Sequence, residues 1–108
     1  MTRLLVIIST AEKAKALTGM MYAVNVRKHG WFDELKVVFF GPVETLLLED
    51  PVVGEAAVPL VDEGALACRA IAEREGIAED LVRLGYRVEY VGSTISEAIR
   101  DGYVPLVF

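Results

Sequence analysis

Two apolar runs constrain this chain more than any other feature: Leu4-Leu5-Val6-Ile7-Ile8 and Leu35-Lys36-Val37-Val38-Phe39-Phe40. Neither alternates polar with apolar residues, as a strand with one solvated face does. Near-continuous aliphatic and β-branched character predicts strands covered on both faces, which is the condition of a parallel sheet. The first run is also too short for a signal-peptide core or a bilayer span.

Helical periodicity fills the intervals. Ala14, Leu17, Met21 and Val24 recur at helical spacing, with Arg27 and Lys28 suited to a last turn and Gly30 to its end. Ser9 with Glu12 reads as a capping box for that helix. The second run stops at Gly41-Pro42, where proline suits a first helical position, and Val43, Leu46 and Leu47 share one side of a short helix. Asp50-Pro51 reads as a cap and first helical residue. Val53, Ala57 and Leu60 keep the spacing, whereas Pro59 predicts a kink or an end, and Gly64 closes the region. Ala65-Leu66-Ala67-Cys68 reads as a short central strand. Arg69 to Glu75 and Ala78 to Leu84 read as helices ended by Gly76 and Gly85. Arg87 to Val91 reads as a fourth strand breaking at Gly92-Ser93, and Thr94 with Glu97 as a second capping box. A helix stopped by Gly102 precedes a last strand, Tyr103 to Phe108, which Pro105 assigns to an edge.

The predicted order is β-α-β-α-α-β-α-α-β-α-β in one domain over residues 1–108. Strands alternating with helices need crossovers, and crossovers are right-handed. The expected fold class is therefore α/β, a three-layer α/β/α sandwich around a five-stranded, predominantly parallel sheet.

Composition narrows the function. The net charge of −5 and scattered basic residues argue against nucleic acid as a partner. Hydrophobic residues make up 54% of the chain but aromatics only 8%, and such an aliphatic surplus points to surface buried against other copies, Leu46-Leu47-Leu48 among it. A single cysteine forms no intrachain disulfide, which fits a reducing cytoplasm. Lone His29 and lone Cys68 supply no conventional zinc set, and one histidine permits no serine–histidine–carboxylate order. The glycine patterns of dinucleotide and phosphate loops are absent, so no cofactor is expected.

In an open parallel sheet, ligands bind at the carboxyl ends of the strands. Those ends are Ser9-Thr10, Gly41-Pro42, Cys68 and Gly92-Ser93-Thr94. Cys68 is the catalytic candidate, because a helix dipole and free amides at a strand–helix junction favour a thiolate. Ser9, Thr10, Gly41, Arg69, Gly92 and Ser93 are the ligand-binding candidates, with Arg69 adding positive charge if it turns inward. The plainer reading stands beside this one. Cysteine is often only a small buried hydrophobe, Ser9, Thr10, Ser93 and Thr94 suit helix caps, and Glu73 and Glu75 suit a solvated helix face.

Gly64-Ala65-Leu66-Ala67-Cys68, followed by Ala70 and closed by Gly76-Ile77, resembles the cysteine segment of the DsrE-like family of small sulfur-relay and related proteins. The resemblance extends to the early strand with its small polar turn, to Phe39-Phe40-Gly41-Pro42, to Tyr90-Val91-Gly92 and to Asp101-Gly102-Tyr103-Val104. It implies a three-layer fold, assembly into homotrimers or homohexamers, and a cysteine carrying persulfide sulfur between donor and acceptor proteins, a role that maps only onto Cys68. The chain lacks the second, C-terminal cysteine of some relay partners. The expectation is thus a sulfurtransferase-like persulfide carrier. The alternative is a non-enzymatic small-ligand or assembly module whose cleft Cys68 merely lines.

Overall fold

The computed structural model describes residues 1–108. The elements are β1 (Arg3–Ile8), α1 (Lys13–His29), β2 (Glu34–Phe39), α2 (Val43–Glu49), α3 (Pro51–Asp62), β3 (Leu66–Cys68), α4 (Arg69–Arg74), α5 (Ala78–Arg83), β4 (Arg87–Glu89), α6 (Val91–Arg100) and β5 (Val104–Val107). The five strands form one sheet in the order β4-β3-β2-β1-β5, and every pairing is parallel. β1 and β2 run in register from Arg3 beside Glu34 to Ile8 beside Phe39. Pro105 lies on an edge strand, where its missing N–H costs no ladder bond.

Alternation along β1 divides the core. Leu4, Val6 and Ile8 join the larger cluster with Met20 of α1, Leu47 of α2, Leu60 of α3 and Leu81 of α5. Leu5 and Ile7 join a smaller cluster with Val38, Leu66, Cys68 and, from α6, Val91 and Ala98. The first three crossovers therefore pass over one face. The return from β4 to β5 passes over the other, beneath three intervening strands. This is the expected three-layer α/β fold, with one face covered by a single ten-residue helix. Lys36, the polar interruption in the second apolar run, has its ammonium 5.4 Å from the centre of the Tyr103 ring.

Both expected capping boxes are absent. Ser9 is committed elsewhere: its amide donates to the Phe108 carbonyl at 2.7 Å and its carbonyl accepts from Val43 N at 3.1 Å. The helix consequently starts later, at Lys13, after a turn in which Thr10 Oγ1 accepts from the Glu12 amide at 3.0 Å. At the other end, β4 stops at Glu89, opposite the last residue of β3, and α6 begins at Val91. Gly92, Ser93 and Thr94 are thus inside its first turn, not ahead of it.

The buried side of α1 also differs from the expected one. Ala16, Gly19, Met20, Ala23 and Val26 face inward, while Met21 is 61% exposed. Small residues win this face because the helix packs closely: a Cβ on Gly19 would lie 2.8 Å from Cγ of Phe108. Pro59 does not end α3, which continues to Asp62. Both Pro59 and Glu55, whose carbonyl the proline leaves without a donor, are on the exposed side, where water substitutes.

Candidate functional site

The parallel sheet brings all four predicted strand ends to one edge of the molecule. Gly41 reaches Ser9 most closely: its φ is 142°, and a Cβ there would lie 2.7 Å from the Ser9 carbonyl oxygen. Only glycine fits, because the position demands both positive φ and space. Ser9 and Thr10 both donate their amides to the Phe108 carbonyl, so their backbones anchor the end of the chain.

Cys68 ends β3 and is 4% exposed, with its side chain in the smaller cluster beneath α6. The thiol is therefore covered and does not open onto the surface. The nearby cleft, about 280 Å³ between α2 and α4, is lined by Ala11, Pro42, Thr45, Leu46, Ile71, Arg74 and Glu75. α4 spans six residues, so the dipole expected to act on Cys68 is small. The longer α6 starts beside the thiol instead, Val91 packing in the same cluster, and its first turn has no side-chain cap. Gly92 and Ser93, in that first turn, are exposed.

Arg69 does not turn toward the thiol. Its guanidinium donates to the Val88 carbonyl at 2.9 Å, which holds its charge over β4. Beside it, the Tyr90 hydroxyl donates to Glu73 Oε1 at 2.9 Å, and this bond to a carboxylate raises the phenol above its ordinary value. Tyr90 also feels Arg69 and Cys68 electrostatically, so these four residues form one neighbourhood across the ends of β3 and β4. Glu73, expected on a solvated face, is exposed but engaged.

One residue of the site has no counterpart among the sequence candidates. Glu44 is the only charged residue in the buried core, at 0% exposure. Its Oε2 accepts from the Gly41 amide at 3.4 Å, and its Oε1 has no partner. Burial raises its carboxyl to about 7, opposed by the backbone amides of Gly41 and Cys68 and by the charge of Arg74. Glu44 thus stands between the ends of β2 and β3, bonded to the Gly41 amide and near that of Cys68. The signal available in the sequence was a glutamate three residues after a strand-ending glycine, the spacing at which a carboxylate reaches back to an N-terminal amide.

The fold has a solved counterpart. The chain superposes with a TM-score of 0.81 on a conserved protein of unknown function from Bacteroides thetaiotaomicron, at 25% identity, covering 96% of this chain and 93% of that one. No family model matches the chain, and no curated protein matches it. The likeness establishes the α/β architecture and leaves chemistry to the residues just described. None of the molecule's helices is long and apolar enough to cross a membrane.

In a doubly wound sheet, the ligand crevice opens where neighbouring strands send their connections to opposite faces. Here that place lies between β3, followed by α4, and β4, followed by α6. Cys68, Tyr90 and the start of α6 flank it. The arrangement offers one sulfur nucleophile, uncapped amides suited to an anion, and a buried carboxyl that changes charge near neutral pH.

Proposed function

We propose that the protein is a persulfide carrier of the DsrE-like type, with Cys68 as its sulfur-bearing residue. The observation carrying this reading is the placement of the chain's only thiol at the switch of crossover direction, beside the uncapped first turn of α6. The motif resemblance around Gly64–Cys68 supports the same role.

The chemistry is a pair of thiol exchanges. The Cys68 thiolate attacks the outer sulfur of a donor persulfide; a new S–S bond forms at Cys68 as the donor's S–S bond breaks. The donor leaves as a thiolate and is reprotonated by water. An acceptor thiolate then attacks the outer sulfur and regenerates Cys68. No external oxidant or reductant enters, because the sulfane sulfur moves at constant oxidation level. Gly92 and Ser93 supply amides facing the developing anion, and Ser9, Thr10 and Gly41 serve as structural supports of the rim.

Assembly into a homotrimer or homohexamer belongs to the same proposal. Its support is β5, a strand whose Val104, Leu106 and Val107 are 59%, 37% and 60% exposed. An apolar edge strand of this kind invites a covering surface. The decisive experiment is intact-mass analysis after incubation with a small-molecule persulfide donor. A gain of one sulfur atom, absent from Cys68→Ala, is expected. An unmodified mass under conditions that load a free thiol overturns the carrier reading.

A further inference from the structure

We propose that the first turn of α6 is a flap over Cys68, latched by the hydrogen bond between Tyr90 and Glu73 and opened by unwinding of that turn. The inference rests on the reading of Cys68 as the sulfur-bearing residue, because a thiol only 4% exposed reacts only if its cover moves. That cover is α6. Cys68 packs with Leu5, Ile7, Val38 and Leu66 of the sheet and with Val91 and Ala98, the two buried residues of the helix. Glu89, which ends β4, pairs with Cys68, and α6 starts two residues later, so the helix begins at the thiol's end of the sheet.

The two ends of α6 are secured very differently. At the far end the Asp101 carbonyl accepts from Arg3 Nη1 at 2.9 Å. There too the Tyr103 hydroxyl donates to Glu34 Oε2 at 2.8 Å, with the Lys36 ammonium 5.4 Å from the centre of its ring. These contacts fasten that end to β1 and β2. The near end follows a three-residue edge strand, has no side-chain cap, and carries Gly92 in its first turn. An uncapped N-terminus and a glycine within a helix each lower the cost of unwinding. Gly92 and Ser93 are exposed, so burial in this turn falls mainly to Val91. A single side-chain hydrogen bond ties the near end to another element: the Tyr90 hydroxyl reaches across to Glu73 of α4 at 2.9 Å. Local opening is drawn from the least secured segments of a fold, and on this face that segment begins beside the thiol.

The test measures iodoacetamide alkylation of Cys68 against urea concentration, at one pH and low reagent, each rate divided by that of the same chain fully unfolded. Unwinding one turn exposes little surface. The rate is therefore expected to be nearly independent of urea below the unfolding transition and to rise steeply only within it. Tyr90→Phe removes the latch and keeps the ring, and is expected to raise the low-urea rate roughly threefold to tenfold, the worth of one hydrogen bond. Gly92→Ala stiffens the turn and is expected to lower that rate roughly threefold. Gly19→Ala, which disturbs the packing of α1 on Phe108, is expected to lower the unfolding midpoint and leave the low-urea rate unchanged. A rate that follows global unfolding at every urea concentration overturns the flap. So does a low-urea rate that Tyr90→Phe leaves unmoved or that Gly19→Ala raises. A flap that opens as described, on a protein that takes no sulfur from a persulfide donor, stands while the carrier reading falls. Sulfur loading in a protein whose alkylation ignores Tyr90→Phe keeps the carrier and removes the flap.

Discussion

Glu44 ionises near 4.5 when unfolded and near 7 when folded, and the difference makes pH act directly on stability. Below the unfolded value both states hold the proton and the group costs nothing. Between the two values the folded chain binds more protons, so stability falls as pH rises, and the full cost is reached above the folded value. At 1.36 kcal/mol per pH unit this amounts to about 3 kcal/mol. Urea titrations across this window are expected to show that loss in the wild type, and a flattened profile in Glu44→Gln, which carries no titrating group. A parallel profile in the variant would remove Glu44 as the cause. Cys68 is the second residue to weigh. Its thiol lies among Leu5, Ile7, Val38 and Val91, so serine at that position places a hydroxyl in an apolar cluster and costs about 1–3 kcal/mol. Cys68→Ala is the milder blank, and thermal unfolding of the two variants checks the ordering.

Among the elements, α1 and α6 respond oppositely to the same substitution. Gly19 lies on the buried face of α1, and an added Cβ meets the Phe108 ring at 2.8 Å. Phe108 cannot yield freely, because its amide donates to Ile7 and its carbonyl accepts from Ser9 and Thr10. Overpacking costs about 1–3 kcal/mol, against a helix-propensity gain of about 1 kcal/mol, so Gly19→Ala is expected to destabilise. Gly92, in the first turn of α6, has nothing within 4 Å of an added Cβ. Gly92→Ala is expected to stabilise by about 0.5 kcal/mol while leaving the fold unchanged. Denaturant midpoints moving the same way for both would contradict the packing described for α1.

At the scale of the whole molecule, the sheet is unevenly protected. Its larger face lies under α1, α2, α3 and α5, its smaller face under α6, and β5 is left exposed on both sides. Val104, Leu106 and Val107 are the residues that a neighbouring copy would cover. Light scattering at micromolar concentration is expected to give a trimer or hexamer mass. Val107→Lys is expected to shift the population toward monomer by placing a charge on that edge. A monomer mass for the wild type would rule out the assembly.

Much of this architecture was legible in the sequence because it depends on local chemistry. Continuous apolar runs require cover on both faces, Asp50-Pro51 forms a helix start through bonds from Val52 and Val53 to Asp50 Oδ1, and glycines with positive φ at Gly30, Gly76 and Gly85 stop helices wherever they occur. These effects act over a few residues, so the order of elements and the parallel sheet followed from them. The capping boxes at Ser9 and Thr94 were not decided locally: Phe108 and Val43 claim Ser9, and the end of β3 terminates β4 before Thr94 is reached. The inward face of α1 went to Ala16, Gly19 and Ala23 because close approach to Phe108 and the sheet selects small residues, whatever the apolar count on the other side. Cys68 could be placed at a strand end from its neighbours in sequence, but its burial depends on α6 arriving from the far edge. Glu44 lies farthest beyond local reach. A glutamate in the first turn of a short helix is ordinarily solvated, and only the convergence of β2, β3 and α4 around it turns that carboxyl into a buried group poised near neutrality.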